Sequence, residues 1–296
     1  MSFTNAVPPA HAPEVRRGRS GTPAADPLPL AHAFRALERE PLLSLPALAH
    51  AAARLSGNGV ERRVHDAATG AQFRILPGEA ELAQRLAAEG PSREWVMLRG
   101  IENLPEYAAL LDRLMESLPP AILTKTGAPV DIKGFVFLSA PQTHTPLHFD
   151  AEYNVLFQVA GTKTFATYPP REPFLSRAER EAYHATGENL LSMTRAHADC
   201  GTRHELAPGD ALFVPYCAPH WVRSGPGTSI SLSLTWQSAW SRDVAEAERL
   251  GPVLRRLGLA LPDPALSRRR PRLAALASRI VQRAARIAPP GGGGEA

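Results

Sequence analysis

The chain predicts a mainly β fold with helical additions, its short strands wrapped into a barrel. Three observations carry this. From His148 to Val159 polar and apolar residues alternate: His148, Asp150, Glu152, Asn154, Leu156 and Gln158 share one parity, and Phe149, Ala151, Tyr153, Val155, Phe157 and Val159 the other. The same period of two returns where Ser229, Ser231, Ser233 and Thr235 interleave with Ile230, Leu232, Leu234 and Trp236. Between them Pro208-Gly209-Asp210, Pro215 and Gly225-Pro226-Gly227 punctuate runs too short for helices. Strands that are greasy on one side and small or polar on the other line a barrel wide enough to hold a ligand.

The elements follow in order. Residues 1–28, rich in Pro, Ala, Gly and Arg without periodicity, read as a disordered arm. Residues 29–125 supply N-terminal helices and outer strands. They comprise a helical pattern from Leu30 to Leu55 interrupted near Pro41 and Pro46, an outer hairpin from Val60 to Leu76 turning at Thr69-Gly70, and helices from Glu79 to Ala88 and Pro105 to Leu118. The barrel is expected over 126–240. Gly161-Thr162 has glycine where a type II′ hairpin requires it, which predicts a hairpin pairing Ala160 with Lys163 and Gln158 with Phe165. Ala211–Val214 and His220–Ser224 read as further strands, and the charged stretch Glu172–Leu190 as a partly helical insertion over the barrel mouth.

Beyond Trp240 the character changes to a basic helical region, 241–296, with a disordered tail. Eleven arginines there face five acids, a net of +6 in a chain whose total is +4. On a helical wheel Arg272, Arg279, Arg283 and Arg286 form one stripe beside Leu273, Leu276, Ile280, Ala284 and Ile287. Docking against protein, as a homodimer through the C-terminal helices, leads this reading. Contact with nucleic acid or an anionic membrane surface stands as the alternative.

The candidate chemistry sits on the polar face of the first alternating run. Residues two apart on a strand point the same way, so His148 and Asp150 converge if this stretch is extended, and a neighbouring strand brings in His220. Two imidazoles and one carboxylate form a facial triad with open positions, as in non-haem iron(II) oxygenases, and the same set accepts zinc or manganese. In the hairpin register Lys163 shares that face. A lysine in a partly desolvated site is costly without an anion, so it predicts an acidic ligand. The chain has only two other lysines, Lys125 and Lys133.

Thr145-Pro146-Leu147-His148-Phe149-Asp150, then Asn154, Gln158-Val-Ala-Gly161-Thr-Lys163, Tyr168-Pro169-Pro170, and Pro208-Gly209-Asp210 through His220 together resemble the JmjC/cupin-like (cupin-8) iron(II) and 2-oxoglutarate-dependent oxygenases. The pattern is nearest that of the hypoxia-factor asparagine hydroxylase group. The likeness runs from Glu94 to Gln237 and implies a double-stranded β-helix (jelly-roll/cupin) barrel. It further implies that His148, Asp150 and His220 bind iron and are catalytic, that Thr145 and Lys163 hold the distal carboxylate of 2-oxoglutarate, and that Asn154 also reaches this co-substrate. Dioxygen is the second co-substrate, and the oxidised substrate a protein side chain or a small molecule. One departure stands out: no upstream tyrosine is placed to assist Lys163, because Gly134-Phe-Val-Phe-Leu-Ser139 offers phenylalanines. A non-catalytic module that holds a metal and an organic acid is the competing reading.

No run of about 18 apolar residues is present, and Met1-Ser-Phe-Thr-Asn lacks the basic and apolar parts of a secretory signal, so a cytoplasmic location is expected. Two cysteines, Cys200 and Cys217, are too few for a disulfide framework and suit a reducing compartment. Cys217-Ala-Pro-His220 imitates half a zinc site without the partners to complete one. His184, His197 and His204 read as structural or surface residues, and His144 as the one histidine near enough to the triad to test.

Overall fold

The computed structural model describes residues 26–55, 59–65, 73–76, 82–90, 94–259, 262–266 and 271–287. Residues 1–25 of the expected arm, the Thr69-Gly70 turn and the tail beyond residue 287 lie outside these. In chain order come β1 (Leu28–Leu30), α1 (Leu45–Arg54), β2 (Val60–His65), β3 (Phe73–Leu76), α2 (Leu82–Glu89), β4 (Trp95–Arg99), α3 (Pro105–Ser117), α4 (Pro120–Thr126) and β5 (Val130–Ser139). There follow β6 (His144–His148), β7 (Tyr153–Ala160), β8 (Lys163–Thr167), α5 (Arg177–Thr186), α6 (Arg195–Cys200), β9 (Thr202–Leu206), β10 (Ala211–Val214), β11 (His220–Ser224), β12 (Ser229–Gln237), α7 (Ala239–Arg256) and α8 (Arg272–Ile287).

Leu30–Leu55 is not one interrupted helix. Leu28–Leu30 pairs with β10, Pro41 opens a short 3-10 helix, and Pro46 sits in the first turn of α1, where its missing N–H costs nothing. Ser44 caps that turn by accepting from Ala47 N at 3.4 Å.

Two antiparallel sheets form the barrel. The larger has strand order β1-β10-β7-β12-β5-β4-β2-β3 and the smaller β6-β11-β8-β9. The outer face of the larger sheet meets the helices: Val155, Phe157, Leu232, Leu234 and Trp236 join Leu48, Tyr107, Leu111 and Leu114 in one core cluster. Each such side chain contributes about 1.5–3 kcal/mol on full burial, which fixes which parity of β7 and β12 turns outward. The opposite parity, with Asn154, Leu156, Ser233 and Thr235, faces a cavity between the sheets.

Two sequence expectations fail here. The run from His148 to Val159 is not one strand, because β6 ends at His148 and β7 starts at Tyr153, leaving Asp150 in the connection. Its backbone is held from elsewhere, as Cys217 N donates to Asp150 O at 2.9 Å and Phe149 N to Asn189 O at 3.2 Å. Nor do β7 and β8 form a hairpin. Ala160 pairs with Ile230 and Gln158 with Ser231, while Lys163 pairs with Ser224 and Leu206, so Gly161-Thr162 carries the chain from one sheet to the other. The glycine is needed there for two reasons: its φ is 66°, and a Cβ would stand 2.4 Å from the Thr228 carbonyl.

The insertion is partly helical as expected. A capping box at Ser176 starts α5, whose Arg180 reaches Glu248 of α7 at 2.6 Å. Past α5, Leu190 bridges to His148 and brings Asn189 to the barrel mouth.

Candidate metal centre

His148 ends β6 and His220 begins β11, and the two are cross-strand partners with ring centroids 4.2 Å apart. Each imidazole is oriented by its own strand. Nδ1 of His148 donates to the Pro146 carbonyl at 2.8 Å and Nδ1 of His220 to the Ala218 carbonyl at 2.9 Å. A carbonyl only accepts, so both rings carry the proton on Nδ1 and present the Nε2 lone pair. Asp150 Oδ2 lies 3.8 Å from His148 Nε2 and 3.6 Å from His220 Nε2. Ligand atoms of the three residues all fall within 4.8 Å of one another, the separation expected around one small cation. Burial, and then the neighbouring His148, push the His220 imidazole down to about 4 against the opposing pull of Asp150, which keeps it a neutral donor.

The triad opens onto a cavity of about 280 Å³, and all six residues singled out from the sequence line it: Thr145, His148, Asp150, Asn154, Lys163 and His220. Lys163 is buried, donates from Nζ to Ser231 Oγ at 2.6 Å and lies 5.6 Å above the Phe137 ring. It makes no ion pair among the described residues, and burial pushes its ammonium down to about 7. Lys163 therefore faces the cavity as expected, although by a different strand pairing from the expected one.

Beside it the floor is polar and unsatisfied. Asn154 Oδ1, Ser233 Oγ and Thr235 Oγ1 are buried without hydrogen-bond partners, and the β7–β12 register sets Asn154 across from Thr235. Buried polar groups rarely stay unpaired, because each costs about 1–3 kcal/mol, so this floor is built for a polar guest.

Several cavity residues escape a reading of the sequence. Trp95, Met97, Phe135 and Phe137 form a wall, with Trp95 and Phe137 stacked at 5.3 Å. Asn189 donates from Nδ2 to Asp150 Oδ1 at 3.3 Å. Glu152 lines the cavity too but is paired with Lys133 at 3.0 Å. The four other histidines weighed in the sequence stay outside the cavity: His144 packs on Trp221, His184 lies 3.2 Å from Glu248, His197 bonds the Phe174 carbonyl and His204 bonds Thr167. Cys217 is buried and Cys200 exposed, and neither joins a metal-ligating group among the described residues.

Comparison with known proteins places this architecture. No curated protein sequence matches the chain. The X-ray structure of E. coli ycfD superposes with a TM-score of 0.51 at 17% identity, over 86% of this chain and 63% of that one. The ribosomal oxygenase YcfD from Escherichia coli in complex with cobalt and 2-oxoglutarate gives 0.47 at 15% identity, over 87% and 63%. The DMSP lyase DddQ from Ruegeria pomeroyi DSS-3 gives 0.24 at 18% identity, over 36% and 39%. At such identities the likeness to ycfD is one of fold, and the chain spans somewhat under two thirds of that structure's length. The cupin-like domain model, however, matches residues 80–241, more than half of the sequence and all of β4 to β12 with the triad, and the chain belongs to the cupin-like domain family.

Proposed function

We propose that this protein is an iron(II)- and 2-oxoglutarate-dependent dioxygenase that hydroxylates a protein side chain or a small molecule. One observation carries the reading: two Nε2 lone pairs and one carboxylate oxygen converge beside a buried ammonium that makes no ion pair among the described residues. A three-ligand face leaves coordination positions open towards the cavity, and an oxygen-nitrogen donor set of this kind fits iron(II). Bound there, iron(II) supplies the activation of dioxygen, for the overall conversion of R–H, O₂ and 2-oxoglutarate to R–OH, succinate and CO₂.

The chain's own residues do the positioning. Lys163 and Thr145 hold the distal carboxylate, the ammonium regaining the counter-charge that burial denies it. Asn154, with Ser233 and Thr235 beside it, offers hydrogen bonds to the remaining oxygens. Phe135, Phe137, Leu156, Phe165 and Val222 line the same cavity and keep it dry, which strengthens every polar contact inside it. Residues 126–240 hold every cavity residue except Arg63, Trp95, Met97 and Arg99, so we read them as the catalytic unit. A cytoplasmic location is supported by the exposed free thiol of Cys200.

The test is iron-dependent succinate release from 2-oxoglutarate by anaerobically loaded protein exposed to air, with His148→Ala as the control. Succinate above the control supports the dioxygenase. Binding of both iron(II) and 2-oxoglutarate without succinate, even with cell extract added, makes the barrel a non-catalytic metal and organic-acid module instead.

A further inference from the structure

The catalytic reading leaves the C-terminal helix unused, and this helix is packed the wrong way round for an ordinary amphipathic element. Its small and polar side meets α7. Ala275 and Ser278 are buried there, Gln282 Nε2 and Ser278 Oγ donate to Glu246 at 3.0 and 3.4 Å, and Arg279 donates to Asp243 at 3.2 Å. The opposite side faces solvent with Leu273 84%, Leu276 53% and Ile280 60% exposed. At about 100° per residue these three form one narrow ridge, bordered on one edge by Arg272 and Arg283, both exposed. Surface helices normally bury such a stripe, so its display on a docked helix needs an occupant.

Charge selects the occupant. Residues 241–296 carry +6 and the whole chain +4, which leaves the other residues at −2. A second copy of the chain would bring two of these basic segments together. Nucleic acid would take the arginines and leave the ridge in water. A convex ridge one helix wide calls for no matching groove if the surface it meets is fluid, and arginines beside it fit phosphates at the depth where leucines enter acyl chains.

We propose that α8 is a peripheral membrane anchor: Leu273, Leu276 and Ile280 enter the headgroup boundary of an anionic bilayer while Arg272 and Arg283 rest on lipid phosphates. Such a helix lies on the membrane. No helix among the described residues is long and apolar enough to cross one.

Full-length protein is mixed with vesicles of phosphatidylcholine alone or of phosphatidylcholine and phosphatidylglycerol in equal parts, and the bound fraction is read by flotation. Binding is expected on the anionic vesicles, roughly tenfold weaker on the neutral ones and weaker as salt rises. Leu273→Glu with Ile280→Glu abolishes it, and Arg272→Gln with Arg283→Gln lowers it and flattens its salt dependence, while cobalt(II) binding at the triad stays unchanged. If the glutamate pair does not fold, the lipid-charge and salt dependence of the unaltered protein still decide. No binding to either vesicle, or equal binding to both, overturns the proposal. So does a lipid-free dimer that Leu273→Glu splits, because the ridge would then be covered by a second copy.

Discussion

Asn189 Nδ2 donates both to the Phe149 carbonyl at 3.0 Å and to Asp150 Oδ1 at 3.3 Å, so a residue of the insertion holds one oxygen of the triad carboxylate and leaves the other facing two imidazoles. Asp150 lies outside the strands, and without this clamp its side chain has a free torsion to fix on metal binding. Asn189→Ala is expected to weaken cobalt(II) or iron(II) binding by roughly 10–100-fold, the usual cost of removing a group that orients a ligand. Metal titration followed by the cobalt absorption bands checks this. Affinity equal to that of the unaltered protein would mean that Asp150 is held well enough by its backbone bonds.

Lys163→Ala is expected to weaken 2-oxoglutarate by about 2–5 kcal/mol with little change in metal affinity, because the proposed function sets the ammonium against the co-substrate carboxylate while its hydrogen bond goes to Ser231 and not to the triad. Lys163→Arg should also bind poorly, since a planar fork does not fit where a point charge meets Ser231. Calorimetry on metal-loaded protein separates the two affinities. Undiminished 2-oxoglutarate binding in Lys163→Ala would remove the lysine from the co-substrate site.

The same lysine predicts a pH dependence. Burial lowers it to about 7 while the cavity holds no anion, so above that pH it is largely neutral and must take up a proton to receive a carboxylate. Affinity for 2-oxoglutarate is therefore expected to fall as pH rises from about 7 towards the ordinary lysine range, with uptake approaching one proton per co-substrate. Calorimetry at about pH 8 in buffers of different ionisation enthalpy measures that uptake. It should vanish in Lys163→Met.

What the sequence disclosed and what it hid divide along physical lines. The polar half of the cavity was legible because polar groups at period two opposite a greasy face mark a strand with one side turned away from the core, and Asn154, Ser233 and Thr235 stand where the alternation puts them. The break between β6 and β7 was not, because Phe149 to Glu152 keep the parity of a strand while their hydrogen bonds go to Asn189 and Cys217. The hairpin expectation failed for a related reason. Glycine at position 161 reports a local backbone demand, whereas which sheet β8 joins depends on the open edges of β11 and β9, far away in sequence. Trp95 and Phe137 look like core residues in any strand, and Asn189 sits in a stretch with no periodicity to betray it. In α8 the sequence showed both stripes, and only the packing shows that the small-residue side rather than the leucine side meets α7.

A last prediction separates support from chemistry. Arg180 of α5 is wholly buried and held by Glu248 and Asp263, with His184 on the other oxygen of Glu248 at 3.2 Å. Removing one partner of a buried pair strands the other charge away from water, so Arg180→Ala is expected to cost about 3–5 kcal/mol in stability. His184→Ala removes a contact while leaving the Arg180–Glu248 pair in place, and should cost only about 1–2 kcal/mol. Neither residue lines the cavity, and at temperatures where both variants are folded each should bind cobalt(II) with undiminished affinity. Denaturant unfolding beside metal titration reads both quantities on the same samples. Loss of metal binding in His184→Ala equal to that in His148→Ala would place His184 in the metal site and break the assignment of the triad.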